Sequence, residues 1–253
     1  MRIRPRRTFS WLACAIALLA TLAIATVGAQ VRIATDAAGQ PLHASGSIVI
    51  VQPDIELSLL TAGGLSEPNK EWSQAARTFY PQAVHALIDA RHAQAKADFA
   101  PPDDLDPASR MGQILRLNEA VALSIAQYSQ PFSALATKKD PATGKPTLDW
   151  SLGPGVSVLH DSTGADYALF TYIRDSYASE GRKALRVIGL LAGAAMGGAM
   201  DIGGGRQVGV ATLVDLRNGK VVWFHLMQRQ SGDLRTADGA RDTVAQLLKE
   251  LPL

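Results

Sequence analysis

The pattern of apolar side chains along this chain predicts strands in five places. Residues 47–51 are a short β-branched run between Gly46 and Pro53, which predicts a buried strand. Residues 54–60 alternate apolar and polar positions, as a half-buried strand does. Residues 165–175 and 208–216 predict two more strands, and a returning strand follows at 220–227. Asn218-Gly219 between the last two is typical of a type I′ hairpin turn, in which both residues have positive φ.

Helical spacing predicts three helices. The first runs over residues 69–97, opened by Ser66 as an N-cap type of residue and bent at Pro81. The second covers residues 108–128, and the third, over 238–251, closes the chain. The order is therefore strand, two helices, a meander of strands and a final helix. This order predicts an α/β fold with a mixed sheet and flanking helices in a single domain.

Residues 1–29 have the three parts of a secretory signal peptide. Four arginines fall within residues 1–7, residues 9–27 carry no charge, and Val27-Gly28-Ala29 places small residues before Gln30. We therefore expect a periplasmic protein that begins at Gln30. An uncleaved signal is the alternative, since about 19 apolar residues could act as a membrane anchor. Arg6-Arg7 leaves twin-arginine export open beside the general secretory route.

Removal of the signal changes the balance of charge. The whole chain has 25 Lys plus Arg against 23 Asp plus Glu, and loss of the four arginines leaves 21 against 23, so +2 becomes −2. A slightly acidic chain has no basic footprint for nucleic acid, and no nucleic-acid partner is expected. The single cysteine, Cys14, lies in the signal. The mature chain therefore has no thiol for a disulfide, a metal site or nucleophilic catalysis.

The α/β domain is predicted to cover residues 47–253, after a leader or peripheral strand at residues 30–46. Within this domain, residues 187–205 are a Gly/Ala-rich apolar insertion. Residues 187–200 carry no charge, although the strands on either side should pair directly. They are too short to span a bilayer as one helix. Two interpretations remain open, a buried helix over the sheet and a contact with a membrane or another subunit. The contact residues would be Val187, Ile188, Leu190, Leu191, Met196 and Met200.

Two groups of polar residues invite a catalytic or metal interpretation. His85, Asp89 and His92 share one face of the first predicted helix, but the two imidazoles would be about 10 Å apart along its axis. His160-Asp161-Ser162 contains the residue types of a hydrolase triad, but neighbours on an extended chain point to opposite faces. We therefore predict no catalytic residue, no metal site and no cofactor.

Three fragments together resemble a known family. They are the strand that ends at Pro53, the Gly164-Ala165-Asp166-Tyr167 sequence before a strand, and residues 213–223, LVDLRNGKVVW, across a turn. They are similar to the periplasmic α/β domains of curli-secretion lipoproteins and to the amino-terminal domain of TolB-type proteins, most specifically over residues 164–224. The resemblance implies a non-enzymatic envelope module that associates with itself or with envelope proteins. It supplies no catalytic residues, and this chain has no lipobox cysteine.

The sequence thus predicts an exported, non-catalytic protein that serves as an assembly or transport accessory of the cell envelope. Its expected partners are envelope proteins or further copies of itself, with a membrane surface as a further contact. The alternatives are a periplasmic, hydrolase-like enzyme, or a small-ligand carrier, with a site built from residues distant in sequence.

Overall fold

The computed structural model describes residues 30–36, 38–128, 135–195, 203–230 and 232–253, so the predicted signal peptide lies outside the described residues. The strands are β1 Gln30–Ile33, β2 Ser47–Ile50, β3 Asp54–Leu60, β4 Ser66–Pro68, β5 Gln94–Ala95, β6 Tyr167–Ala178, β7 Arg206–Asp215 and β8 Val221–Arg229. The α-helices are α1 Lys70–Ala90, α2 Arg110–Tyr128, α3 Ser157–Thr163, α4 Glu180–Ala195 and α5 Ala237–Leu247.

All of these strands form one mixed sheet around β6. On one side β6 pairs antiparallel with β7, which is followed by β8 and β1. On its other side β6 is long enough to pair in parallel with β2 and then with β3, and β5 and β4 continue the sheet from those strands. The predicted α/β fold with a mixed sheet is therefore confirmed, and residues 30–33 form a peripheral strand.

The two faces of the sheet bury separate cores because alternate residues of a strand point to opposite sides. Leu169 and Ile173 of β6 belong to the core beneath α1 and α5, together with Tyr80 and Val244. Ala168 and Phe170 belong to the core beneath α2 and α3. Trp223 and Phe224 of β8 divide between the faces in the same way.

Helix α1 begins and ends elsewhere than its apolar pattern predicts. Residues 66–68 form strand β4, and Asn69 is the N-cap, its Oδ1 accepting a hydrogen bond from Trp72 N at 3.0 Å. The helix ends at Ala90 because His92 adopts a left-handed φ of 57°. The Ala93 amide then donates to Ile88 O at 3.1 Å, which closes the helix with a Schellman motif. The predicted extension to residue 97 is therefore wrong, and β5 lies there instead.

The predicted hairpin of β7 and β8 is present, but its turn is not type I′. Gly219 has a φ of 76°, whereas Asn218 is not among the residues with positive φ. The Asp215 carboxylate accepts hydrogen bonds from Arg217 N at 2.9 Å and Asn218 Nδ2 at 3.1 Å. These bonds hold a wider turn over residues 216–219, in which glycine alone takes the left-handed conformation.

Candidate functional site

Helix α4 contains residues 187–195 of the predicted insertion and begins before it. The sheet pairing of β6 and β7 extends to Ser176 and Arg206, so the chain between them leaves one end of the sheet. Ser179 anchors the start of the helix, since its amide donates to Leu60 O and its Oγ accepts from Arg182 N at 3.2 Å. The helix therefore starts at Glu180, directly after β6, rather than at residue 187.

Large apolar side chains of α4 face away from the protein. Val187, Ile188 and Leu191 are 56%, 60% and 68% exposed, and Leu185 and Leu190 are also exposed. The three most exposed residues lie on one side of the helix, which turns about every 3.6 residues. A helix that covers the sheet would bury such side chains, so the core-helix interpretation of residues 187–191 is wrong for this chain alone.

The opposite side of α4, which faces the protein, carries glycines and arginines. Gly189 and Gly193 are buried, and Arg182 and Arg186 are half-buried. Arg182 Nε donates to Gly203 O at 3.0 Å, and a Cβ on Gly204 would lie 2.6 Å from Arg186 Nη1. The usual amphipathic arrangement is thus reversed, because polar side chains meet the protein while apolar ones meet the surroundings.

The candidate contact residues therefore separate into two groups. Val187, Ile188, Leu190 and Leu191 lie together on α4 and are exposed. Met196 and Met200 lie outside the described residues. Within the described part of the chain, no helix has both the length and the hydropathy needed to cross a bilayer.

The two histidines that were considered as metal ligands, His85 and His92, have different surroundings. His85 Nε2 lies 2.8 Å from Asp98 Oδ1, an acid that the helical spacing did not suggest. His92 lies beyond the end of α1 and does not share a helical face with His85. Across the described residues there is no cluster of three or more potential metal ligands.

The triad residue types lie on helix α3, not on an extended chain as the sequence pattern suggested. His160 Nδ1 is 2.7 Å from Ala165 O, and Ser162 Oγ donates to Val158 O at 2.7 Å. Each side chain thus stabilises its own turn of backbone. Because both side chains bind backbone carbonyl oxygens, His160 and Ser162 are not paired with each other as base and nucleophile.

One buried acid was not singled out from the sequence. Asp175 accepts hydrogen bonds from Tyr177 Oη at 2.5 Å and from Gln207 Nε2 at 2.7 Å, and burial raises the pKa of its carboxyl group. Tyr177 Oη also accepts from Leu234 N, so this network joins β6 and β7 to the segment before α5. The partners of this carboxyl group belong to the fold, and they tie this end of the sheet to the segment before α5.

Comparison with known proteins finds similarity only among solved structures. No protein-family profile and no curated protein sequence matches this chain. The PelC dodecamer from Paraburkholderia phytofirmans is 13% identical, with a TM-score of 0.35 over 88% of this chain and 97% of that one. The lipoprotein GNA1162 from Neisseria meningitidis is 15% identical, with a TM-score of 0.29 over 73% of this chain and 81% of that one.

These scores are too low for assembly or function to be transferred to this chain. Neither of the two proteins carries a curli-secretion or TolB name, so that resemblance stays a prediction.

Proposed function

We propose that this protein is an exported, non-catalytic accessory of the cell envelope that lies against a membrane surface through helix α4. The observation that carries this proposal is the outward apolar face formed by Val187, Ile188 and Leu191. Contiguous apolar patches of a few hundred Å² on a protein surface are often functional, as sites of contact with a membrane or another protein. The secretory signal predicted at residues 1–29 would bring this face to the envelope.

The size of the face favours a membrane over a second copy of the chain. The 16 residues of α4 extend for about 24 Å at about 1.5 Å per residue. At about 10 Å wide, the helix offers on the order of 240 Å², against roughly 800 Å² per partner in a stable protein interface. A bilayer needs no complementary shape and can receive such a helix along its length.

The charge pattern of α4 fits a helix that lies in the membrane interface. From residue 187 to residue 195 there is no charged side chain, so this part can enter the acyl region without burying a charge. Lys183 and Glu180 form an exposed ion pair at the start of the helix, where lipid headgroups would be. Arg182 and Arg186 remain on the side of the protein.

Vesicle co-sedimentation tests the proposal. The processed protein should sediment with vesicles of phosphatidylethanolamine and phosphatidylglycerol. An Ile188→Ser/Leu191→Ser double variant should bind them at least about tenfold more weakly, because each serine removes roughly one large side chain of apolar transfer energy. Both side chains are exposed, so we expect the variant to fold normally.

A matched control replaces two exposed leucines elsewhere. Leu65 and Leu117 are 69% and 39% exposed, and a Leu65→Ser/Leu117→Ser variant should sediment with vesicles as the wild type does. Equal binding by the α4 variant and the wild type would overturn the proposal. An oligomer that forms without lipid and is lost in the α4 variant would also overturn it, since a second copy would then cover the face.

A further inference from the structure

A cavity of about 230 Å³ lies between helix α2 and the sheet. It is on the face of the sheet opposite to the one that α1 and α5 cover. The buried stripe of α2 explains why space remains there. Ile114 and Ile125 pack near the two ends of the stripe, and the smaller Asn118 and Ala122 lie between them. Large residues at both ends hold the helix away from the sheet, so the short side chains leave a gap over the strands.

The walls of this cavity are mainly carbon. Phe170 of β6 and Val210 of β7 form its floor, and Leu115 and Ala122 of α2 form part of its roof. The charged residues that line the cavity, Asp54, Arg116 and Glu119, are all exposed, and Asp54 is paired with Arg174, with Oδ2 and Nη2 2.9 Å apart. Deep in the cavity a charged ligand would lose its hydration and lie away from these exposed charges, so the interior suits a neutral molecule.

One buried amide gives the cavity a polar point. Asn118 is 8% exposed, and its Oδ1 accepts a hydrogen bond from Thr212 Oγ1 at 2.9 Å. Among the described residues, Asn118 Nδ2 has no hydrogen-bond partner, although the residue lines the cavity. Because Asn118 Nδ2 is not enclosed by protein, it opens onto the cavity, where a hydrogen-bond acceptor of a ligand would bind it in place of water.

We propose that this cavity binds a small neutral ligand, mostly apolar, with one hydrogen-bond acceptor that faces Asn118 Nδ2. A dry cavity of about 150 Å³ accepts benzene, so the larger volume here fits a benzene ring with a short substituent. Apolar contact with Phe170, Val210 and Leu115 holds the body of the ligand, and the amide fixes its orientation. This proposal does not depend on α4 or on membrane contact.

Three probes of similar size separate the contributions of apolar contact, of the hydrogen-bond acceptor and of charge to binding. Acetophenone carries a carbonyl acceptor, α-methylstyrene replaces that oxygen by carbon, and benzoate adds a charge. Titration followed by backbone amide NMR shifts should show saturable binding of acetophenone, with a Kd on the order of 1 mM. The shifts should centre on Val210, Thr212 and Ala122. α-Methylstyrene should bind about tenfold more weakly, and benzoate more weakly than either.

Two variants of α2 form a matched pair. Ala122→Leu fills the cavity and should abolish saturable binding of acetophenone. Ala120→Leu adds the same atoms to an exposed position of the same helix and should leave binding unchanged. Asn118→Leu should remove the preference for acetophenone over α-methylstyrene. If Ala122→Leu fails to fold, Val210→Ile reduces the cavity from the strand and should weaken binding severalfold.

Three results would overturn the proposal. They are the absence of saturable shifts with acetophenone, equal binding by the Ala122→Leu and Ala120→Leu variants, and binding of benzoate as tight as that of acetophenone. The Ala122→Leu variant should sediment with vesicles as the wild type does, so failure of one proposal is distinguishable from failure of the other.

Discussion

The imidazole of His225 donates a hydrogen bond from Nδ1 to the carbonyl oxygen of Leu247, with 2.6 Å between the two atoms. This bond joins the middle of strand β8 to the last residue of helix α5, and it requires the proton on Nδ1 because a carbonyl can only accept. His225 is 1% exposed, and its Nε2 has no hydrogen-bond partner among the described residues. The fold therefore favours the neutral ring.

Stability should fall as the solution becomes acidic because of His225. Burial lowers the pKa of this imidazole, while the bond to Leu247 and the charge of Glu250 act in the opposite direction and Lys249 adds to the lowering. The unfolded chain then takes up a proton near the ordinary pKa of 6.5 and the folded chain only at lower pH. The free energy of unfolding should decrease by up to about 1.4 kcal/mol per pH unit below that value.

Urea unfolding at a series of pH values, with a His225→Asn variant, measures this effect. The asparagine amide can still donate to Leu247 O, so the variant should lose stability at neutral pH and approach the wild type in acid. Asp175, whose pKa burial raises, contributes a slope of opposite sign that is common to both proteins. A His43→Asn variant at an exposed position serves as the control. Parallel curves for the wild type and His225→Asn would show that His225 is not responsible.

Gly219→Ala should destabilise the protein by more than about 1 kcal/mol. Gly219 has a φ of 76°, and a Cβ at this position would lie 2.3 Å from Gly153 O. The loss has two expected causes, the positive φ and the steric contact with Gly153. Gly39→Ala tests the first alone, since Gly39 has a φ of 78° but nothing within 4 Å of a Cβ. Thermal unfolding should show a larger loss for Gly219→Ala. Equal losses would mean that backbone conformation alone matters, and that the contact with Gly153 does not.

Asn69→Ala should lower the free energy of unfolding by about 1 kcal/mol, because it removes the cap that accepts from Trp72 N. Ser66→Ala is the matched comparison, since the sequence pattern suggests Ser66 as the first cap. Ser66 lies in strand β4, and its Oγ donates to Ser58 Oγ at 2.7 Å. We expect a smaller loss there, measured by the same denaturant titration. A larger loss for Ser66→Ala would contradict the start of α1 at Lys70.

The sequence alone was sufficient to predict an element wherever a single local pattern determines its structure. Residues 47–50 are a buried strand because every side chain in the run is apolar or small, and β2 is buried throughout. Helix α2 occupies residues 110–128, close to the predicted 108–128, because its apolar face repeats without a break. The hairpin of β7 and β8 was also predictable, since two strands with a glycine-containing turn pair locally.

Tertiary contacts determined where helix α1 ends and which turn joins β7 to β8. The apolar spacing of α1 continues past Ala90, but pairing of Gln94–Ala95 with β2 requires the chain to turn at His92. The turn after β7 is wide because the Asp215 carboxylate binds two groups within it. Neither bond is visible in the residue types, since Asn-Gly by itself favours the tighter turn.

The two proposed sites also depend partly on sequence pattern and partly on tertiary packing. The apolar composition of residues 187–200 is visible in the sequence, but which side of α4 faces solvent depends on how Ser179 and Gly203 fix the helix against the protein. The cavity has no sequence pattern at all, because Asn118 and Thr212 are 94 residues apart and meet only when α2 packs on β7. Sequence periodicity determines which elements form, whereas the direction of an exposed face and the space between elements depend on long-range packing.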